Sequence, residues 1–140
     1  MCSSDLRAIA GQQRTELDLG QAFASLSQVY RASYSSGVGA GQADVIFHDR
    51  RTLAALAGED LDLSGTLVGP LGESAAFTKV KALVIVASAA NTGNLVIGAA
   101  ASSPWSSLLG SAGTVTLRPG ATFAVYTGEA DAVGYEVAAG

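Results

Sequence analysis

The 140 residues suffice for about one domain, with 49% hydrophobic and only 14% charged side chains, against roughly a quarter charged in an ordinary globular chain. Ala, Gly and Ser supply 58 of the 140 residues and mean hydropathy is +0.34, a composition that points to a surface packed against other protein. A net charge of −4 with a pI of about 4.7 excludes the basic stripe of a nucleic-acid binder, and one Cys (Cys2) and one His (His48) exclude a disulfide framework, a structural zinc site or a Cys/His nucleophilic pair within one chain.

Residues 1–42 read as an N-terminal arm. Between Leu17 and Tyr30 the apolar positions Leu19, Phe23, Leu26 and Tyr30 recur at steps of four, three and four. That spacing predicts a short amphipathic helix, with Asp18 as its N-cap. Residues 33–41 (Ser-Tyr-Ser-Ser-Gly-Val-Gly-Ala-Gly) predict a flexible Gly/Ser linker.

From residue 43 to 140 the pattern is that of a β domain. Residues 44–48 (Asp-Val-Ile-Phe-His) and 51–56 read as strands, and 59–64 alternate acid and leucine with period two. Residues 77–86 begin alternating and become continuously apolar, as a strand does on entering a sandwich. Residues 94–97 follow across an Asn-Thr-Gly turn, a hairpin signal. Residues 114–118 and 122–126 flank Pro119-Gly120, a strong turn dipeptide, and 133–137 form the last segment. Eight short strands without a helical pattern among them predict an all-β fold, a β-sandwich or jelly roll. The longest apolar run, residues 80–90, contains Lys81 and Ser88 and falls well short of the roughly 20 residues of a membrane span. The opening Met-Cys-Ser-Ser-Asp-Leu-Arg lacks a basic segment leading into an apolar one, so no secretory signal is expected there.

Several motifs invite chemistry. Gly37-Val-Gly-Ala-Gly41 precedes a strand instead of joining a strand to a helix, and no Gly-Lys-Ser/Thr follows, so its context is wrong for a phosphate loop. Residues 60–65 open like a calcium loop, yet position twelve is Leu71, where a bidentate carboxylate is required. In the polar cluster His48, Asp49, Arg50 and Arg51, neighbours on a strand point to opposite faces, which disfavours a relay. The simpler reading is a polar strand end whose arginines pair with nearby acids. No serine sits in a Gly-x-Ser-x-Gly elbow. Lys79 and Lys81 read as the solvent-facing side of the central strand. Trp105, in a loop of small residues, serves either as a cap on the core or as an interface anchor. No catalytic, cofactor or metal constellation emerges.

The stretches around Arg51-Thr-Leu-Ala-Ala, residues 60–72 (Asp-Leu-Asp-Leu-Ser-Gly-Thr-Leu-Val-Gly-Pro-Leu-Gly), 77–86, 91–105, 115–120 and 134–140 together resemble small β-rich structural proteins of tailed bacteriophages. The resemblance covers residues 43–140 and rests on turn and strand patterns. In such proteins the Gly-Tyr-x-Val segment runs on into a further strand, whereas here Gly140 is last; the expectation is a sandwich closed by residues 44–48 or an edge left for a neighbour. The resemblance implies a non-enzymatic virion protein on the capsid surface, assembled in the host cytoplasm: a decoration or cement protein bridging capsomers, without cofactor, nucleic acid or membrane. Its implied partners are the major capsid protein or other virion proteins and copies of itself, as a homo-oligomer such as a trimer. Leu19, Phe23, Leu26, Tyr30 and Trp105 are the candidate partner-binding residues. The alternatives are a head fibre or tail component, or a host-surface or glycan-binding module.

Overall fold

The structure is a computed structural model that describes residues 2–3, 7–17, 20–65 and 67–137. It is mostly strand, and among the described residues the sole helix is the single turn α1 (Ser106–Leu109). The chain is all-β, and every ladder among the described residues is two-stranded.

The N-terminal region is a β-ribbon. β2 (Arg7–Leu17) runs antiparallel to β3 (Gly20–Tyr30) in continuous register from Arg7↔Tyr30 to Leu17↔Gly20. β1 (Cys2–Ser3) and β4 (Ser33–Tyr34) continue the pairing at the base. Eleven pairs at 3.4 Å per residue make a ribbon about 35 Å long.

Of the helix expected over residues 17–30, Leu17 and Gly20–Tyr30 are therefore strand. Phe23, Ser25, Ser27, Val29 and Tyr30 are poor helix formers, and Arg7–Leu17 supplies the backbone partner that a local periodicity cannot reveal. Asp18 and Leu19, the expected cap and first apolar position, lie outside the described residues.

The Gly/Ser segment is closed into a loop by hydrogen bonds. Ser35 donates its N–H to Gly41 O (3.1 Å) and its carbonyl accepts from Ala43 N (2.9 Å), while the Gln42 side chain turns back to accept from Gly39 N (3.0 Å). Small residues here permit a tight return.

In the body, strands pair in nested order. β5 (Lys79–Val80) pairs with β10 (Tyr135–Glu136), β6 (Ala82–Val86) with β9 (Thr122–Tyr126), and β7 (Leu95–Gly98) with β8 (Thr114–Leu117), all antiparallel. The hairpin expected across Asn91-Thr-Gly93 is not formed, because β6 and β7 take partners from the far side of α1. The turn instead steps the chain from one ladder to the next. Gly98 is required where it stands: its φ is +102°, and an added Cβ would lie 2.3 Å from Gly113 O.

Residues 51–56 and 59–64 form no ladder among the described residues; they run as irregular, largely exposed chain. Their alternation of acid and leucine has no neighbouring strand to pair with. In residues 44–48 Val45 and Phe47 are half-buried and Asp44, Ile46 and His48 exposed, yet they too carry no ladder.

The core is thin. Its buried apolar members among the described residues are Tyr34, Leu67, Ala75, Val80, Ala87 and Leu117. Lys81 is buried beside them, contrary to its expected solvent-facing position. Consecutive burial of Val80 and Lys81 marks the slip in alternation where the chain leaves β10 for β9, and it turns the Lys81 side chain inward.

Candidate assembly interface

Tyr34 roots the ribbon in the body. Tyr34, only 5% exposed, brings its hydroxyl within 3.0 Å of Lys81 O and 2.9 Å of Thr127 O. Lys81 O also accepts from Thr127 N (2.8 Å), and the Lys81 ammonium donates to Gly39 O. These bonds tie together the end of β4, the Gly loop, the break between β5 and β6, and the end of β9.

Beside this root lies a cavity of about 300 Å³ whose lining includes Tyr30, Arg31, Tyr34, Tyr126, Thr127 and Glu129. The Tyr126 hydroxyl is buried with no protein hydrogen-bond partner. Arg31, Glu129 and three tyrosines thus contribute to the lining of one space.

Beyond the root, residues 9–14 and 21–30 are all exposed. Directly paired residues share a face of a ribbon. Ile9, Gly11, Gln13, Ala22, Ala24, Leu26, Gln28 and Tyr30 therefore lie on one face, and Ala10, Gln12, Arg14, Gln21, Phe23, Ser25, Ser27 and Val29 on the other. Phe23, expected on a common stripe with Leu26 and Tyr30, is separated from them, because steps of three change side in a strand. Phe23 is 69% exposed, Leu26 53% and Tyr30 51%. Ile9 and Val29 join them as exposed apolar residues that the helical periodicity passed over.

Trp105 belongs to the body. Its indole Nε1–H donates to Glu136 O (2.7 Å) and its ring meets Tyr135 edge-on at 6.4 Å, so it holds the α1 loop against β10. Ser107 Oγ donates to the same carbonyl (2.5 Å).

The polar cluster is an exposed ion-pair group. Arg51 bridges Asp49 (3.1 Å) and Glu59, as expected for arginines beside acids, while Arg50 N donates to Asp49 Oδ1. Asp62 Oδ1 accepts from Ser64 N (2.9 Å) and Ser64 Oγ (2.6 Å), so this carboxylate caps its own turn. Among the described residues no three His, Cys, Asp or Glu side chains gather as metal ligands, and no helix is long and apolar enough to cross a membrane.

Comparison with protein-family models, with curated proteins and with solved structures finds no match to this chain.

Proposed function

We propose that this chain is a non-enzymatic structural subunit of a tailed-bacteriophage virion, a decoration or cement protein that stabilises the head by bridging adjacent capsomers. The observation that carries the reading is area. The chain exposes 10136 Å², where a compact monomer of 14.0 kDa exposes about 6,700 Å². The excess, about 3,400 Å² on one chain, is more than the roughly 1,000–2,500 Å² that each partner contributes to an obligate interface. It is accompanied by exposed apolar side chains along the ribbon and at Leu53, Leu56, Leu61 and Leu71, a pattern that marks interaction surface.

The resemblance of residues 43–140 to small phage structural proteins supplies the setting, and the low charge is in keeping with it. The nested order of β5–β10, β6–β9 and β7–β8 is the pairing of a folded long ribbon, which supports a jelly-roll-like body. In this reading the major capsid protein and further copies of the chain cover the exposed apolar segments, and many modest contacts add through multivalency. A projecting ribbon with a rooted base also favours the neighbouring reading, a head fibre whose ribbon is its attachment.

The test is addition of purified chain to expanded heads lacking it. Saturable binding at a fixed number of copies per capsomer, with heads that resist heat or chelator better than bare ones, is the expected result. Failure to bind, together with absence of the chain from purified virions, overturns the proposal.

A further inference from the structure

The pairing of the body has two-fold symmetry. The step that carries Ala82–Val86 onto Thr122–Tyr126 also carries Leu95 and Val96 onto Tyr135 and Glu136, and Thr116 and Leu117 have Lys79 and Val80 as counterparts. The pairs Leu95↔Leu117 and Val96↔Thr116 then fall on Tyr135↔Val80 and Glu136↔Lys79, which are the pairs formed. The β6–β9 ladder maps onto itself, with Val84↔Ala124 at its centre. The agreement extends beyond the strands. Thr127 N donates to Lys81 O (2.8 Å) as Ala87 N does to Ala121 O (2.9 Å), and Asp131 N donates to Gly128 O (3.0 Å) as Asn91 N does to Ser88 O (3.1 Å). Val80 and Leu117 are counterparts, and both are buried. Between residues 82–97 and 122–137 only Ala90 and Ala130 are identical. The likeness lies in the pairing, with Leu83, Ile85 and Leu95 answering to Phe123, Val125 and Tyr135 as half-buried apolar positions.

The two ends of the β6–β9 ladder are closed differently. Lys81 alone joins β5 to β6, whereas residues 118–121 (Arg-Pro-Gly-Ala) join β8 to β9. The longer connection folds as a turn. Ala121 N donates to Arg118 O (2.9 Å) and Gly120 N to Ala87 O (3.0 Å), and a Cβ on Gly120 would lie 3.7 Å from the Ala89 Cβ. At the opposite end the counterparts of Ala87 and Ala89 are Thr127 and Glu129. There the ribbon base stands where the turn would be: the Tyr34 hydroxyl reaches Thr127 O (2.9 Å), and a Cβ on Gly41 would lie 3.1 Å from Glu129 O. Gly41 and Gly120 both have positive φ, +64° and +81°.

We propose that the ribbon base, Tyr34 to Ala43, is a strap seated on a two-fold body, and that its seat is the counterpart of the place the 118–121 turn fills at the other end. The backbone bonds of the strap close on itself, Ser35 N with Gly41 O and Ala43 N with Ser35 O. It meets the body through the Tyr34 hydroxyl, through the Lys81 ammonium at Gly39 O and through the approach of Gly41 to Glu129. Lifting it therefore breaks side-chain bonds and no ladder among the described residues, which makes it a unit that opens separately from the strands. Strap and turn exclude each other from one seat, because Tyr34 is 5% exposed and already fills it. A shortened connection at Lys81 thus leaves room for the arm, and the full connection at residues 118–121 closes the other end against it.

Tyrosine nitration of the full-length chain, mapped by mass spectrometry, tests the shared seat. In wild type Tyr34 is expected to react slowly and Tyr30, 51% exposed, quickly. The variant Lys81→Arg-Pro-Gly-Ala gives both ends the same connection. The introduced turn should take the seat, raising Tyr34 reactivity about tenfold, toward that of Tyr30, while amide exchange in β6 to β9 stays within about threefold of wild type. Lys81→Met removes the ammonium without adding a turn and should leave Tyr34 shielded, since the Tyr34 hydroxyl bonds are to backbone oxygens. A shielded Tyr34 in the first variant, loss of the ladders there, or equal exposure of Tyr34 in Lys81→Met overturns the proposal. A second variant tests the symmetry without touching the seat: residues 88–94 are replaced by the sequence of 128–134, a connection of the same length between counterpart strands. Retained protection of β7 and β8 is expected, and its loss overturns the equivalence of the two halves.

Discussion

The Tyr34 hydroxyl lies 3.0 Å from the carbonyl oxygen of Lys81, 47 residues further along the chain. This bond joins the base of the N-terminal ribbon to the point where the central strand exchanges one partner for another. It is buried, and the same hydroxyl is 2.9 Å from Thr127 O, so the end of β9 is held by the same group.

Replacing Tyr34 with Phe removes that buried bond and keeps the ring. The expected loss is about 1–2 kcal/mol of unfolding free energy, and Tyr34→Ala, which also leaves a cavity, should cost about 3–5 kcal/mol. Urea unfolding followed by Trp105 fluorescence measures both. A Tyr34→Phe chain as stable as wild type would show that the ribbon's root is held by other contacts.

Tyr126 gives the contrasting case. Its hydroxyl is enclosed without a protein hydrogen-bond partner, so Tyr126→Phe deletes a desolvated group and no protein hydrogen bond. The substitution should change stability by less than about 0.5 kcal/mol or raise it. A loss comparable to that of Tyr34→Phe in the same urea titration would contradict the assignment.

At Gly98 both conformation and space demand glycine. Gly98→Ala places a Cβ 2.3 Å from Gly113 O at φ +102°, and strain of this kind costs about 1–3 kcal/mol. Faster amide hydrogen exchange confined to β7 and β8 is the expected signature, with the β6–β9 ladder less affected.

Trp105→Phe keeps an aromatic ring beside Tyr135 but loses the donor to Glu136 O. About 1 kcal/mol should be lost, with exchange accelerated at Tyr135 and Glu136. Unaltered protection of β10 would mean that the indole contact does not hold that edge.

By contrast, the Arg51 ion pairs with Asp49 and Glu59 are more than one-third exposed. A double-mutant cycle between Arg51→Ala and Glu59→Ala should return a coupling below about 1 kcal/mol that shrinks further in salt.

Much of the body is legible in the linear chain. The continuously apolar run around Val84 and the Pro119-Gly120 turn before β9 locate the strands of one ladder, because alternation and turn chemistry are local properties. The low charge is likewise readable without a fold, and so are Leu26 and Tyr30 as apolar residues of the arm.

Partners and faces depend on more. Residues 20–30 satisfy a helical spacing, but residues 7–17 offer a full ladder of hydrogen bonds, and a strand places Phe23 on one side and Leu26 on the other. Lys81, one of two alternating lysines, is turned inward by the change of partner between β10 and β9. Local sequence thus determined where most strands of the body lie and how weakly charged the surface is. Tertiary structure decided which strand each one joins and which side chains share a face, because strand pairing brings together residues tens of positions apart, and a single-residue slip in register exchanges the two sides of the sheet.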